Sequence, residues 1–249
     1  MEMPTYQQGL SRQTPILLNR DYKRPKVEKM LAILADAGVI GPARDLVVDI
    51  GCSGGLFITA LAPYFTRAIG VDIDRHALTV ADQAPNLTYL LADSQRLPLP
   101  DACTDLVICN HVYEHVPDAA ILFQEIHRVL RPGGVCYLGA ASRLTPMEPH
   151  YHLPFLSWLP KSLAHLYMRL TGKGEYYYEN LRSYWGIRRL IGAFEVKDYT
   201  LRVLEDPDRF RARDLVPQEG LWSRVPLAVW RLLYPLLPSY LFILRRPLS

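Results

Sequence analysis

A short turn of small residues, GCSGG at positions 51–55, lies between two apolar stretches. Residues 45–50 have the short apolar pattern of a buried strand, and residues 56–64 restart as a helix. Glycine permits unusual backbone angles and lets a ligand approach the main chain closely. The start of the following helix adds free N–H groups and the positive end of its dipole. The turn therefore predicts a site for an anionic or polar ligand.

Acidic residues follow the next two predicted strands. Asp72 lies 21 positions after Gly51, at the end of a strand predicted over residues 68–73, and Asp93 follows a strand predicted over residues 87–92. The first carboxylate can accept both hydroxyls of a ribose, and the second can accept from the exocyclic amine of a purine. The NAD-type pattern G-x-G-x-x-G and the P-loop pattern are both absent here, which excludes those two nucleotide sites.

A histidine-rich segment, HVYEH at residues 111–115, has the H-x-x-E-H spacing of inverted zinc peptidases. On a helix, His111 and His115 would share one face and Glu114 would serve as a base. The segment instead follows a predicted strand directly, and Pro117 cuts any helix short, so the sequence predicts no metal site. Two interpretations stay open. Either the histidines only pack and hydrogen-bond, or one of them faces an acceptor and takes its proton.

The elements that must position these residues alternate between strand and helix, which predicts βαβ units and a mainly parallel sheet. After Ala140 the sequence becomes rich in proline and aromatic residues. We therefore predict one domain over residues 1–249, with a cofactor-binding core over 22–140 and substrate or lid insertions over 141–182 and 205–238. Further strands are predicted over 104–109, 135–140, 195–204 and 239–246, and further helices over 27–37, 75–83, 119–130 and 183–194.

Composition and charge limit the class of protein. The 249 residues are 49% hydrophobic, which excludes a disordered chain. The four cysteines lack a C-x-x-C spacing and the N-terminus lacks a signal-peptide pattern, so we predict a cytoplasmic protein with reduced thiols. Residues 1–140 carry 12 Lys and Arg against 15 Asp and Glu, whereas residues 141–249 carry 16 against 10. The basic second part indicates either an anionic partner or a solvated basic surface.

The ordered set of motifs resembles the class I S-adenosylmethionine-dependent methyltransferases, especially the small-molecule branch related to the ubiquinone and menaquinone enzymes. Their loop D-x-G-x-G-x-G is matched by Asp49, Gly51, Ser53 and Gly55, with Ser53 in place of the middle glycine. An Arg-Pro-Gly-Gly turn at 131–134 also matches. The resemblance implies an α/β, doubly wound, mainly parallel seven-stranded sheet of the Rossmann-like methyltransferase type, with lid insertions. It implies S-adenosylmethionine as cofactor and S-adenosylhomocysteine as product.

The resemblance also implies roles for individual residues. Asp72 would hold the ribose, Ile73 would pack on the adenine, and Asp93 and Ser94 would flank the adenine edge. Cys109, Asn110 and His111 would lie near the methionine part and the methyl group. The complete predicted cofactor set is Asp49, Gly51, Cys52, Ser53, Gly55, Asp72, Ile73, Asp93, Ser94 and Asn110. The candidate catalytic residues are His111 and His115, either of which would be the general base.

The acceptor is predicted from what the sequence lacks. Methyltransferases that act on DNA bases or protein amides carry N-P-P-Y after the fourth strand, whereas residues 110–113 read NHVY. We therefore predict methyl transfer to oxygen or carbon of a small-molecule or lipid-like acceptor, and no nucleic-acid partner. Two alternatives stay open, a non-catalytic cofactor-binding or scaffold protein of the same fold and a nucleic-acid or protein methyltransferase.

Two long apolar segments lie in the second part of the chain, over residues 149–170 and 225–244. Arg231 and three prolines interrupt the second segment, which argues against a membrane span. Either the second segment packs as a helix over 226–233 and a strand over 240–244, or both form a lid that rests on an anionic bilayer at the inner membrane face. The aromatic residues at 176–178 and 184–185 either line an acceptor pocket or pack within the lid.

Overall fold

The computed structural model describes residues 8–41, 44–215 and 225–248. Its strands, in chain order, are β1 (Leu46–Ile50), β2 (Arg67–Asp72), β3 (Leu87–Leu91), β4 (Thr104–Asn110), β5 (Leu130–Ala141), β6 (Glu195–Asp198) and β7 (Ser239–Arg245). Its α-helices are α1 (Leu10–Gln13), α2 (Arg20–Asp36), α3 (Leu56–Leu61), α4 (Arg75–Thr79), α5 (Ala119–Val129), α6 (Lys161–Leu170), α7 (Tyr184–Leu190), α8 (Thr200–Glu205) and α9 (Leu227–Leu232).

All seven strands form one sheet in the order β3-β2-β1-β4-β5-β7-β6. Strands β1 to β5 are parallel, and β7 runs antiparallel to both β5 and β6. The predicted doubly wound, mainly parallel seven-stranded sheet is confirmed. The order of strands reverses between β1 and β4, so their carboxyl ends border the crevice where ligands bind in such sheets.

Helices cover both faces of the sheet, which explains why the central strands are apolar throughout. In β1 every residue is buried. Val48 and Ile50 pack in the layer that contains α5, whereas Val47 packs in the layer that contains α2 and α3. Because both faces are buried, the strands show continuous apolar runs rather than alternation.

Several predicted element boundaries were wrong. The strand predicted over 195–204 ends at Asp198, and α8 begins at Thr200. The side chain of Asp198 accepts a hydrogen bond from the Thr200 backbone N–H at 2.8 Å, which turns the chain away from the sheet. Helix α2 begins at Arg20 rather than at residue 27, and α4 ends at Thr79 rather than at residue 83.

The turn predicted at residues 131–134 lies inside a strand. Strand β5 already begins at Leu130, and its register against β4 shifts between Thr104 and Leu106. Gly133 has a φ of +75°, and the Arg246 N–H donates to the Gly134 carbonyl at 2.9 Å. The glycines therefore form an irregularity within β5, where the backbone hydrogen-bonds to Arg246 after β7.

The segment after β5 packs around its own small apolar cluster, formed by Leu153, Leu156, Ala164, Met168 and Tyr177. Within the described residues, no helix has both the length and the apolar character needed to cross a bilayer. Residues 216–224, which are part of the second predicted insertion, lie outside the described residues. Residues 1–7, part of the N-terminus from which we predicted that a signal peptide is absent, also lie outside them.

Candidate active site

The turn after β1 has the backbone geometry that its glycines predict. Gly51 and Gly55 have φ values of +68° and +78°, and Ser53 also lies in the left-handed region with a φ of +50°. A Cβ at Gly51 would lie 2.7 Å from Val112 Cγ2, and a Cβ at Gly55 would overlap the hydroxyl of Tyr89. Side chains are therefore excluded at both glycines, and Ser53 adopts the angle that the middle glycine of the motif would adopt freely.

Asp49 presents a buried carboxylate beside this turn. Its residue is 3% exposed, and its Oδ2 atom has no hydrogen-bond partner among the described residues. Burial raises the pKa of Asp49 to about 8, against the opposing effect of the Lys23 ammonium. A buried acceptor without a partner carries a desolvation cost, which a ligand donor relieves.

Asp72 stabilises the turn after β1 through hydrogen bonds from backbone N–H groups. Its Oδ2 accepts from the Ser53 N–H at 2.7 Å, and its Oδ1 accepts from the Asp74 N–H at 2.8 Å. Burial raises the pKa of this carboxyl group. Each carboxylate oxygen has a second lone pair, so Asp72 can also accept from ligand hydroxyls. The structure thus gives it a role in loop geometry that the sequence did not predict.

The remaining predicted cofactor residues border the same carboxyl ends of the strands. Asp93 follows β3 and its Oδ1 accepts from the Gln95 N–H at 2.9 Å. Asn110 ends β4, and a Cβ at Gly139 would overlap its amide oxygen. Cys52 is 2% exposed, and burial raises the pKa of its thiol well above the usual range, which indicates a packing role. Ile73 and Ser94 are partly exposed.

The sequence did not indicate Lys23, which the first turns of α2 bring to the cofactor turn. Burial lowers the pKa of its ammonium group, while the Asp49 and Asp72 carboxylates act to raise it. The N-terminal segment closes over the turn as well, since a Cβ at Gly54 would lie 3.2 Å from Leu18 Cδ2. Lys23 has no motif of its own, and only folding places it beside carboxylates that follow much later in the chain.

The histidine segment after β4 forms turns rather than a helix. His111 has a φ of +56°, and its Nδ1 lies 3.2 Å from Oε1 of Glu114. Glu114 is fully buried, and its Oε2 has no partner among the described residues. The two histidines therefore do not share a helical face, and the arrangement that the zinc-peptidase motif requires is absent from this described segment.

The insertion after β5 brings a second polar group to this segment. Glu148 is fully buried and accepts from Nδ1 of His150 at 2.7 Å and from two backbone N–H groups. The His115 and His150 rings meet edge to face with centroids 4.9 Å apart. No sequence pattern indicates a role for Glu148 or His150, because 33 positions or more separate them from His115.

The aromatic residues divide between packing and exposure. Tyr177 is buried in the insertion, whereas Tyr176 and Tyr178 are 49% and 66% exposed. Tyr184 packs against Tyr234 and Tyr240, and Trp185 is exposed. A cavity of about 190 Å³ lies beside Tyr177, and its polar lining includes Arg143, Lys161, Glu179 and Arg182.

Comparison with known proteins agrees with this geometry. Residues 48–138 match a family model described as a methyltransferase domain. The chain is 36% identical over 100 residues to a probable S-adenosylmethionine-dependent methyltransferase of Mycolicibacterium smegmatis, covering 40% of this chain and 39% of the relative. It is 33% identical over 113 residues to the ubiquinone biosynthesis O-methyltransferase of Cupriavidus pinatubonensis, covering 43% and 45%. The chain thus spans less than half the length of these curated relatives.

A solved structure resembles the fold over nearly the whole chain. It is the complex between the Haloferax volcanii Trm112 methyltransferase activator and a putative methyltransferase, with a TM-score of 0.61 and 17% identity, covering 98% of this chain and 99% of that chain. At this identity the likeness shows the fold alone. The fold is of the Rossmann-like methyltransferase type, and the family match is more specific. Residues 48–138 form a methyltransferase domain of the class I S-adenosylmethionine-dependent type, and the cofactor of this domain is S-adenosylmethionine.

The residues of the described site fit this cofactor. Its sulfonium and ammonium groups are cationic and would favour the ionised forms of Asp49 and Asp72, whose pKa values burial raises in the absence of a ligand. Both side chains also offer acceptor oxygens. Its carboxylate needs a cation, which Lys23 provides close to both acids. The backbone at Gly51 and Gly55 is free of side chains, so a ligand can approach it. The individual contacts predicted from the sequence stay predictions.

Proposed function

We propose that this protein transfers a methyl group from S-adenosylmethionine to an oxygen or carbon atom of a small-molecule or lipid-like acceptor. One observation carries the proposal. The segment with His111 and Glu114 packs directly on the cofactor turn, because Val112 occupies the space that a side chain at Gly51 would take. A polar group on a segment held by a buried carboxylate therefore lies next to the turn that we predict to bind the methyl donor.

The reaction requires the protein mainly to align the methyl donor with the acceptor. Bound S-adenosylmethionine supplies an electrophilic methyl group on a sulfonium, which is a good donor without further activation. The glycine turn, Asp72 and Lys23 would hold the donor, and the insertion would cover the acceptor side and limit water. A hydroxyl acceptor would lose its proton to a base as its oxygen bonds to the methyl carbon, while the carbon–sulfur bond breaks and S-adenosylhomocysteine leaves. A positioned base speeds this step by about 10²–10⁴-fold.

We assign the base to His111 rather than to His115. The side chain of His111 is 38% exposed, and Glu114 holds its Nδ1, which leaves Nε2 to accept a proton. The Nδ1 atom of His115 is buried instead.

The test is a methyl-transfer assay with labelled S-adenosylmethionine and a panel of water-soluble phenols, quinols and their prenylated forms. We expect turnover on at least one acceptor, lowered about 10²–10⁴-fold in His111→Gln with unchanged affinity for S-adenosylhomocysteine. His127→Gln on α5 is the matched control and should stay within about twofold of the parent. Cofactor binding with no transfer to any acceptor would favour the non-catalytic alternative.

We further propose that a lipid-like acceptor reaches the site from an anionic membrane at its cytoplasmic face. Helix α6 supports this, because it is apolar on two sides. Ala164 and Met168 face the protein, whereas Leu163, Leu166 and Leu170 are 51%, 45% and 77% exposed. Such a helix, with basic residues beside it, suits the surface of an anionic bilayer.

Vesicle sedimentation tests this part of the proposal. We expect binding to vesicles that contain anionic lipid, weaker binding to neutral vesicles, and loss of binding in Leu166→Glu and Leu170→Glu. Ile121→Glu, at a similarly exposed position on α5, is the control. Equal sedimentation of all three variants with the parent would overturn the assignment of α6.

A further inference from the structure

Three side chains with metal-binding atoms meet where the insertion covers the segment after β4. They are Glu114, His115 and His150, and one ligand atom from each lies within 4.8 Å of the others. We propose that these residues form a binding site for a divalent transition-metal ion of the Zn²⁺ type. The proposal does not rest on methyl transfer, since the chain alone supplies the ligands.

Glu114 is the first reason. The residue is fully buried, and its Oε1 atom lies 3.2 Å from Nδ1 of His111. Its Oε2 atom is buried with no hydrogen-bond partner among the described residues. A buried carboxylate oxygen without a partner is costly, and a cation is the strongest way to compensate it.

His115 supplies a second atom of the same kind. Its Nδ1 is buried and has no partner in the described parts of the chain. Two independent buried polar atoms therefore lack partners within one small region.

His150 completes the set and is already oriented. Its Nδ1 lies 2.7 Å from Oε1 of Glu148, while Oε2 of Glu148 accepts from the backbone N–H groups of His150 and Tyr151. Because Nδ1 is bound to this carboxylate, Nε2 is the nitrogen left for a metal. A carboxylate that holds the second nitrogen of a metal-binding histidine is a recurrent feature of metal sites. Glu148 orients His150 in this way, and His111 does the same for Glu114 from the other side.

The ligand set indicates which ion the site prefers. Two imidazoles and one carboxylate suit Zn²⁺ and neighbouring first-row ions, whereas Mg²⁺ and Ca²⁺ prefer oxygen ligands. The His150 imidazole is 28% exposed, so an ion can enter from that side and keep a position for water or another oxygen ligand. Bonds of about 2.0–2.2 Å require the three side chains to move together by about an ångström. This site differs from the H-x-x-E-H arrangement, because His111 orients Glu114 and does not bind the ion.

Calorimetric titration of the untagged, chelator-treated full chain with Zn²⁺ tests the proposal, and Co²⁺ replaces Zn²⁺ for a spectrum. We expect one equivalent of Zn²⁺ to bind with micromolar or tighter affinity, and Co²⁺ to give visible d–d absorption. His150→Ala and Glu114→Gln should each weaken Zn²⁺ binding at least tenfold. His152→Asn, which removes an exposed histidine two positions from His150, is the matched control and should bind like the parent.

Two results would overturn the proposal. One is the absence of a stoichiometric Zn²⁺ site, and the other is unchanged Zn²⁺ affinity in His150→Ala. Because Glu114 is buried, thermal unfolding checks that Glu114→Gln is folded, and the more exposed His150 provides the variant that decides the question if it is not. S-adenosylhomocysteine binding is measured on the same samples, so that failure of the metal site is distinguishable from failure of the cofactor site.

Discussion

Ser53 stands where the family motif has its middle glycine, and it adopts a left-handed φ of +50°. Left-handed angles thus occur at Gly51, Ser53 and Gly55, within five residues of the chain. The Asp72 carboxylate accepts from the Ser53 N–H and compensates part of the strain of this conformation. At the scale of single residues, the cofactor turn is stabilised by one carboxylate and by the absence of two side chains.

Replacing Gly55 tests that requirement. In Gly55→Ala the new Cβ would overlap the Tyr89 hydroxyl, and the φ of +78° is unfavourable for alanine. We expect a loss of about 1–3 kcal/mol in the free energy of unfolding, measured with denaturant, and weaker binding of S-adenosylhomocysteine. Gly41→Ala is the control, because nothing lies within 4 Å of its Cβ, and it should change stability by about 0.5 kcal/mol or less.

Asp49 makes stability depend on pH in a particular direction. Burial raises its pKa to about 8 in the folded protein, whereas an unfolded chain has the ordinary value of about 3.9. Between about pH 4 and pH 8 the folded state binds the additional proton, so the free energy of unfolding falls as pH rises through this range. Asp49→Asn should remove this contribution and give a flatter pH profile of stability without ligand. A profile with the same slope in the variant would show that other groups cause it.

Helix α2 connects the region beside the cofactor turn with the segment around α8. Lys23 lies near the turn, while Lys29 lies farther along the helix and pairs with Asp214 at 2.6 Å. The side chain of Lys29 is only 6% exposed, and burial lowers the pKa of its ammonium group. Asp36 near the end of the helix pairs with Arg202 and Arg209. At the scale of elements, ion pairs stabilise the packing of α2 against the segment around α8.

Breaking the Lys29–Asp214 pair tests this connection. Asp214→Ala leaves the Lys29 ammonium buried without its partner, and we expect a loss of about 3–5 kcal/mol in unfolding free energy. Lys29→Met should cost less, because Asp214 is 22% exposed and can be hydrated. The exposed Arg67–Asp45 pair is the comparison, and Arg67→Ala should cost less than about 1 kcal/mol. Equal losses in Asp214→Ala and Arg67→Ala would show that the buried pair has no special role.

The predicted cofactor site includes residues from the N-terminal segment, from both halves of the sheet and from the loops after β1, β2 and β4. A ligand that binds only this assembled site must stabilise the whole domain by mass action. Lys23, Asp49 and Asp72 come from three different elements, so none of the local segments can form the site alone. At the scale of the molecule, cofactor binding and folding are therefore linked.

Ligand-dependent unfolding measures this linkage. S-adenosylhomocysteine at 100 times its Kd should raise the free energy of unfolding by about 2.7 kcal/mol. Asp72→Asn should need at least tenfold more ligand for the same effect. In the parent, both carboxylate oxygens of Asp72 accept from backbone N–H groups and can also accept from the ligand, whereas asparagine has only one acceptor oxygen. Glu28→Gln, at an exposed position on α2, should behave like the parent. Stabilisation that is equal in Asp72→Asn would contradict the placement of the cofactor beside Asp72.

The sequence by itself determined the sheet and the cofactor turn, because both depend on local information. Continuous apolar runs identify strands that are buried on both faces, and glycines at fixed spacing identify the left-handed turn. Local pattern failed at residues 195–204, where an Asp198 side chain ends the strand and α8 follows.

Only the tertiary structure decided what surrounds the turn and the histidine segment. Lys23 reaches Asp49 across 26 positions, and His150 reaches His115 across 35 positions. Neither pairing has a periodicity or a motif, since each arises from how separate elements pack. Burial leaves Oε2 of Glu114 and Nδ1 of His115 without hydrogen-bond partners among the described residues, and it raises the pKa of Asp49. It is likewise a property of the assembled fold.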